Sequence, residues 1–259
     1  MESQTALVIG HPAHELCVYG WLTATRPLVF VLTDGSPHRQ QARLPTTQKI
    51  LVEAGCRCSD IFGLFTDADI YAAMLKQDTQ VFIQVVEKLA ATLQEHKITT
   101  VAGDAIEGFN PTHDLCRIII GAAAELVMQR SGRQLANYDF LLVGPPDQYA
   151  RNLRPQDIKV SLDAATFHRK SEVAKAYKEI DQEVRAALKR HGTDIFKVEY
   201  LRAVNNREGY INPLTETPFY EKQGERQVAA GHYREAIRYC SHIRPIIEGI
   251  WSYVERQKR

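Results

Sequence analysis

The chain lacks any apolar run of the roughly 18 residues that a membrane-spanning helix needs. It opens Met1-Glu2-Ser3-Gln4, without a basic leader, and the apolar run that follows is short, so no signal peptide is expected. Charge of one sign is also missing. Lys and Arg number 32 against 31 Asp and Glu, a net of +1, which gives no nucleic-acid-binding or membrane-binding surface. Cysteine is sparse, five residues, odd in number and scattered. Cys56-Arg57-Cys58 is too tight for C-x-x-C chemistry. These features predict reduced thiols in a cytoplasmic protein. There is neither an internal repeat nor a low-complexity segment. What remains is 259 residues, 44% hydrophobic and 24% charged, the composition of an ordinary globular protein. That length suits one large α/β domain, or a domain with a small appendage.

Short apolar runs at 6–9, 26–33, 60–65, 97–103 and 139–143 read as buried strands. Helical patterns at 15–23, 46–55, 78–96 and 113–129 separate them. Strand, loop and helix thus alternate across residues 6–145. The alternation predicts a Rossmann-like α/β fold: a mostly parallel sheet, helices on both faces, and a C-terminal helical extension. Residues 1–150 are expected to form the core and 151–259 an extension packed on the same domain. Within that extension, 160–162 reads as a strand, 167–191 as one long helix, 196–203 as an edge strand and 207–222 as a loop. Residues 227–259 read as one or two helices with a break at Pro245. Functional loops belong at the carboxyl ends of the strands, at 10–15, 33–38, 66–70, 103–113 and 144–149.

Three histidines fall on that edge. His11 follows the first strand, His14 lies in the first turn of the next helix, and His113 begins a helix behind Gly108-Phe109-Asn110-Pro111. Three imidazoles and an open position make a catalytic zinc site, where the metal brings its water to a pKa of roughly 7. The alternative is that all three satisfy backbone groups at helix starts. His38, His96, His168, His191, His232 and His242 have no partner spacing. Tyr and Ile residues of 233–253 read as core or a subunit interface.

These segments resemble the LmbE/PIG-L family of zinc-dependent N-deacetylases. The resemblance rests on Gly10-His11-Pro12-Ala13-His14-Glu15 against the family's A-H-P-D-D-E. It rests also on the turn Thr33-Asp34-Gly35 and on Asn110-Pro111-Thr112-His113 against H-P-D-H. It covers residues 5–145 and implies a Rossmann-like sheet with Zn2+, or another divalent metal, held by His11, His14 and His113. His14 stands where the family has an Asp ligand, so the site is one negative charge short. That makes the metal a stronger Lewis acid. Ala13 stands where the family has its general base. Asn110 replaces the His that stabilises the oxyanion and keeps an amide donor. Asp114 and Glu15 are the candidate catalytic carboxylates in place of the missing base. Asp104 and Glu107, on the loop beside the site, are candidate substrate contacts, as are Arg43 and Asp67.

The expected activity is metal-dependent hydrolysis of an amide, an N-deacetylation of a small N-acylated sugar or amine. The expected partner is that small molecule, in a chain that forms a homo-oligomer or acts alone. The rival is a non-hydrolytic descendant: a metal-bearing binding protein, or a catalyst of another metal-assisted reaction, in which the loss at position 13 marks abandoned hydrolysis.

Overall fold

A computed structural model describes residues 4–36, 43–211 and 213–258. The described residues form a seven-stranded sheet of order β3-β2-β1-β4-β5-β7-β6. Strands β1 (Thr5–Ile9), β2 (Leu28–Thr33), β3 (Arg57–Phe65), β4 (Thr100–Asp104) and β5 (Ala136–Phe140) run parallel. β7 (Val198–Ala203) joins β5 antiparallel, and β6 (Ile158–Ser161) pairs antiparallel with β7. The sheet is therefore mostly parallel, as the alternating pattern predicts. The edge position expected for 196–203 falls instead to β6, because β7 is paired on both sides.

Both faces of the sheet are covered, so its central strands are apolar throughout rather than alternating. Ala6 and Val8 of β1 and Phe30 of β2 face one core, and Leu7, Ile9 and Val31 face the other. The first core is closed by α3 (Asp67–Leu75), α4 (Thr79–Glu95), α5 (Pro111–Ser131) and α9 (Arg244–Arg256). The second is closed by α1 (Tyr19–Thr25), α2 (Leu44–Glu53) and α6 (Ala164–Ala176). Ile237, Tyr239, Ile243, Ile246, Ile247 and Ile250 belong to the first core. Of the two readings of 233–253, core holds for these residues, whereas Tyr233 is exposed. The five cysteines are unbridged. Among the described residues no helix is long and apolar enough to cross a membrane.

Three elements differ from expectation. The stretch 167–191 is two helices, α6 and α7 (Asp181–His191), joined by a 3-10 turn at Lys178–Ile180. Tyr177 breaks the run: its ring is wholly buried in the second core and its hydroxyl bonds the backbone oxygen of Arg43, which turns the chain. α3 begins at Asp67, where the sequence reads as a loop at 66–70, because Thr66 caps it by accepting the N–H of Asp69. α8 (Phe219–Ala229) occupies part of the expected 207–222 loop. Pro245 sits in the first turn of α9, just after a π-helical turn at Tyr239–Ile243, where its missing N–H costs no bond.

Candidate metal centre

The strand order reverses at β1, which has β2 on one side and β4 on the other. The crevice at the carboxyl ends of β1 and β4 is thus the place where open α/β sheets hold ligands. His11 lies one residue beyond Gly10 at the end of β1, and Asp104 is the last residue of β4. His113 is carried in the first turn of α5. That helix starts where it does because Asn110 accepts the N–H of Thr112 at 2.8 Å and Pro111 fills the position whose N–H has no partner.

The three rings converge. Centroids of His11 and His14 are 5.5 Å apart, of His11 and His113 5.1 Å, and of His14 and His113 4.5 Å. Three imidazoles bound at tetrahedral angles to one zinc would stand roughly 5 Å apart. Each ring has a distinct backing. His11 Nδ1 is 2.7 Å from Thr33 Oγ1 and 3.2 Å from Asp67 Oδ1. His14 Nδ1 is 3.0 Å from Asp104 Oδ2, and that oxygen also accepts the N–H of Gly10 at 2.8 Å. With their Nδ1 atoms engaged, both rings present Nε2 as the free donor. His11 Nε2 and His113 Nδ1 are buried without a hydrogen-bond partner. Burial, and then the neighbouring His14 and His11, hold the His113 ring well below the ordinary histidine pKa. It is therefore neutral at pH 7, the form that ligates.

The rings meet edge-on, with interplanar angles of 71–88°. As they stand, no three His, Cys, Asp or Glu among the described residues make a group that could hold a metal ion. The donor chemistry fits one all the same. Two buried nitrogens lack partners, and carboxylate or hydroxyl groups back two of the rings, the arrangement that orients metal-bound imidazoles.

The other predicted site residues fall into two groups. Asp67, Arg43 and Asn110 line the same cavity as the three histidines. Burial pushes Asp67 upward, but His11, Thr33 and Arg43 outweigh it and leave its carboxyl below the usual range. Asp104, Glu107, Asp114 and Glu15 do not line that cavity. Asp104 ties His14 to Gly10, as above. Glu107 accepts backbone N–H groups of Leu142, Val143 and Gly144 and so fixes the loop after β5. Asp114 accepts the N–H of Glu107 and Gly108 and fixes the loop after β4. Glu15 is fully buried and accepts the Thr47 hydroxyl at 2.9 Å. Burial drives both Asp114 and Glu15 up to about 7. The expected catalytic role of these two carboxylates thus meets a placement behind the cavity wall.

Thr33 is a site residue to which the sequence reading gives no role. It entered there only as the first residue of the Thr33-Asp34-Gly35 turn. Asp34 caps its own turn by accepting the N–H of Ser36, and His38 lies outside the described residues. His242 is buried with its Nδ1 accepting the N–H of Arg238, whereas His232 lines the cavity.

No protein-family model matches the sequence, and no curated protein does. Among solved structures, the chain is similar to the A40926 pseudoaglycone deacetylase Dbv21. The TM-score is 0.46 at 12% identity over 78% of this chain and 97% of that one. A triple mutant of the deacetylase Orf2, involved in teicoplanin biosynthesis, gives 0.46 at 12% identity over 77% and 98%. The zinc-inhibited form of teicoplanin deacetylase Orf2 gives 0.43 at 10% identity over 77% and 98%.

Proposed function

We propose that this chain is a metal-dependent amide hydrolase that removes an acyl group from an N-acylated sugar or amine. The observation that carries the reading is the convergence of His11, His14 and His113 at the strand switch point, with Asp104 and Asp67 backing two of the rings. The three imidazoles would hold a divalent metal, zinc for preference given an all-nitrogen set. When bound, the metal supplies Lewis acidity and a nucleophile at neutral pH.

The remaining work belongs to the chain. Asp104 holds the His14 ring in one tautomer, with Nδ1–H toward the carboxylate, which leaves the Nε2 lone pair available to a metal. Asp67 does the same for His11, with the Thr33 hydroxyl beside the same nitrogen. Asn110 uses its side-chain oxygen to cap α5 and its amide also hydrogen-bonds the Tyr71 oxygen, so it would share its N–H donors between that oxygen and the developing oxyanion. Asp67 is the carboxylate that both lines the cavity and stands against a ring of the triad. It is ionised at neutral pH, so proton transfer is assigned to it rather than to Asp114 or Glu15.

The second reading is favoured by Ala13, which lines the cavity and has no proton to exchange. In it the same centre binds a metal and an N-acyl ligand without hydrolysis. Metal content of the purified protein and of His113→Ala tests the centre, and a stoichiometry near zero in the unmutated protein would sink both readings. Turnover of the metal-loaded protein on a panel of N-acyl amines separates them. Hydrolysis lost in Asp67→Asn supports the first, and binding with no hydrolysis supports the second.

A further inference from the structure

The cavity above the histidines is larger than an acetylated monosaccharide needs. Its volume is ≈ 1500 Å³, against about 300–1,000 Å³ for a typical small-molecule pocket. Much of the wall that extends it is apolar. Leu141, Leu142 and Val143 come from the loop after β5, Phe167 and Ala174 from α6, and Ile180 from the turn that follows. The remaining side is α7. Val184, Ala187 and Leu188 recur at i, i+3 and i+4, the spacing of an apolar helix face. All three line the cavity, yet no residue of α7 is buried. An amphipathic helix turns its apolar stripe to the protein core when the core is its partner. Here the stripe turns to the cavity. Of the charged residues on the wall, Lys170 and Glu199 are bound to each other at 2.8 Å, while Lys175, Glu183 and Arg190 lie around the apolar face. The cavity is continuous with the histidine centre, so one molecule can occupy both ends.

We infer that the substrate is an amphiphile, with its amide at the three histidines and an aliphatic chain lying along the Val184–Ala187–Leu188 face of α7. The inference rests on the amide-hydrolase reading and names its substrate class. The chain can be the acyl group itself or a group on the amine side, and the shared chemistry is a flexible hydrocarbon of about eight carbons or more. Complete burial of each methylene is worth about fourfold in affinity, and partial burial proportionately less.

Isothermal titration of the full-length protein tests this, using probes below their micellar concentrations. One arm compares N-acetyl-, N-butanoyl- and N-octanoyl-glucosamine. The other compares methyl and octyl N-acetylglucosaminides. We expect affinity to rise at least 50-fold from the two-carbon to the eight-carbon probe in one arm, which identifies the side that bears the chain. Val184→Asp and Leu188→Asp, both on a half-exposed face, should abolish that rise while binding the short probe as the unmutated protein does. Equal affinity for short and long probes in both arms would overturn the inference. So would retention of the rise in both variants. Tight long-chain binding without turnover supports the apolar subsite and counts against the hydrolase. Turnover without any chain-length dependence does the reverse.

Discussion

His14 Nδ1 stands 3.0 Å from Asp104 Oδ2, and the same oxygen takes the backbone N–H of Gly10 at 2.8 Å. One fully buried carboxylate at the end of β4 therefore fixes both the loop that carries His11 and the ring of His14. Asp104→Asn keeps an acceptor for Gly10 but removes the charge behind the imidazole. Loss of such a backing group lowers metal affinity about 10–100-fold. Competition with a chromophoric chelator measures it, and an unchanged zinc affinity would show that His14 does not ligate.

Ala13 adopts the left-handed conformation, with φ 84° and ψ −12°. Holding an L-residue there costs about 1–2 kcal/mol, and Asp or Asn tolerates it better than most. Ala13→Asp should thus be accepted by the backbone while placing a carboxylate in the cavity. Asp67→Asn alone is expected to lower kcat by roughly 10²–10⁴-fold, the worth of general-base help. Adding Ala13→Asp to it should restore at least about tenfold of the loss. Steady-state hydrolysis of an N-acyl amine by the zinc-loaded variants reads both effects. Failure of Asp67→Asn to slow turnover would remove Asp67 from proton transfer.

How much of this could be read from the chain follows from what each signal depends on. Buried parallel strands announce themselves by continuous apolar runs, so β1 to β5 and the helices between them other than α3 were legible, and with them the edge where His11, His14 and His113 meet. The placement of Glu15 and Asp114 was not. A carboxylate in the first turn of the helix that follows a strand looks the same in sequence whether it points into a cavity or behind its wall. Only the structure shows Glu15 under Thr47 and Asp114 under the 107–108 backbone. The split of α6 from α7 was hidden because neither Pro nor Gly marks it. It is set by the tertiary burial of Tyr177, to which no local pattern points.

Glu107 gives a pH dependence with a defined sign. Burial raises its pKa above the ordinary carboxylate range, opposed by the N–H groups of Leu142, Gly144 and Val143. The unfolded chain therefore releases this proton at lower pH than the folded one. The stability contributed by Glu107 is complete below the unfolded value, near 4.5, and is lost as pH rises through the higher folded value. Glu107→Gln has no proton to lose. Relative to that variant, the unmutated protein should become less stable as pH rises from 4.5 toward neutrality. Urea midpoints of the two proteins across that range measure it. A difference that stays constant with pH would mean that Glu107 titrates alike in both states.

Lys170 and Glu199 form a buried pair, 7% and 2% exposed, with Nζ 2.8 Å from Oε1. The two partners are not equivalent. Glu199, on β7, also accepts the N–H groups of Gly20 at 2.8 Å and Trp21 at 2.9 Å. Those N–H groups belong to the first turn of α1, where the helix dipole favours a negative charge. With Lys170 replaced by Met, the carboxylate keeps two hydrogen bonds and that field. With Glu199 replaced by Ala, an ammonium group and two backbone donors lose their partner together. Breaking a buried pair costs about 3–5 kcal/mol when a charge is left uncompensated, and Glu199→Ala should fall in that range. Lys170→Met should cost clearly less, and the double variant should cost less than the sum of the two, by about 0.5–3 kcal/mol. Urea unfolding of the four proteins completes the cycle. Equal costs for the two single variants would mean that Glu199 holds α6 alone and that its bonds to α1 add nothing to stability.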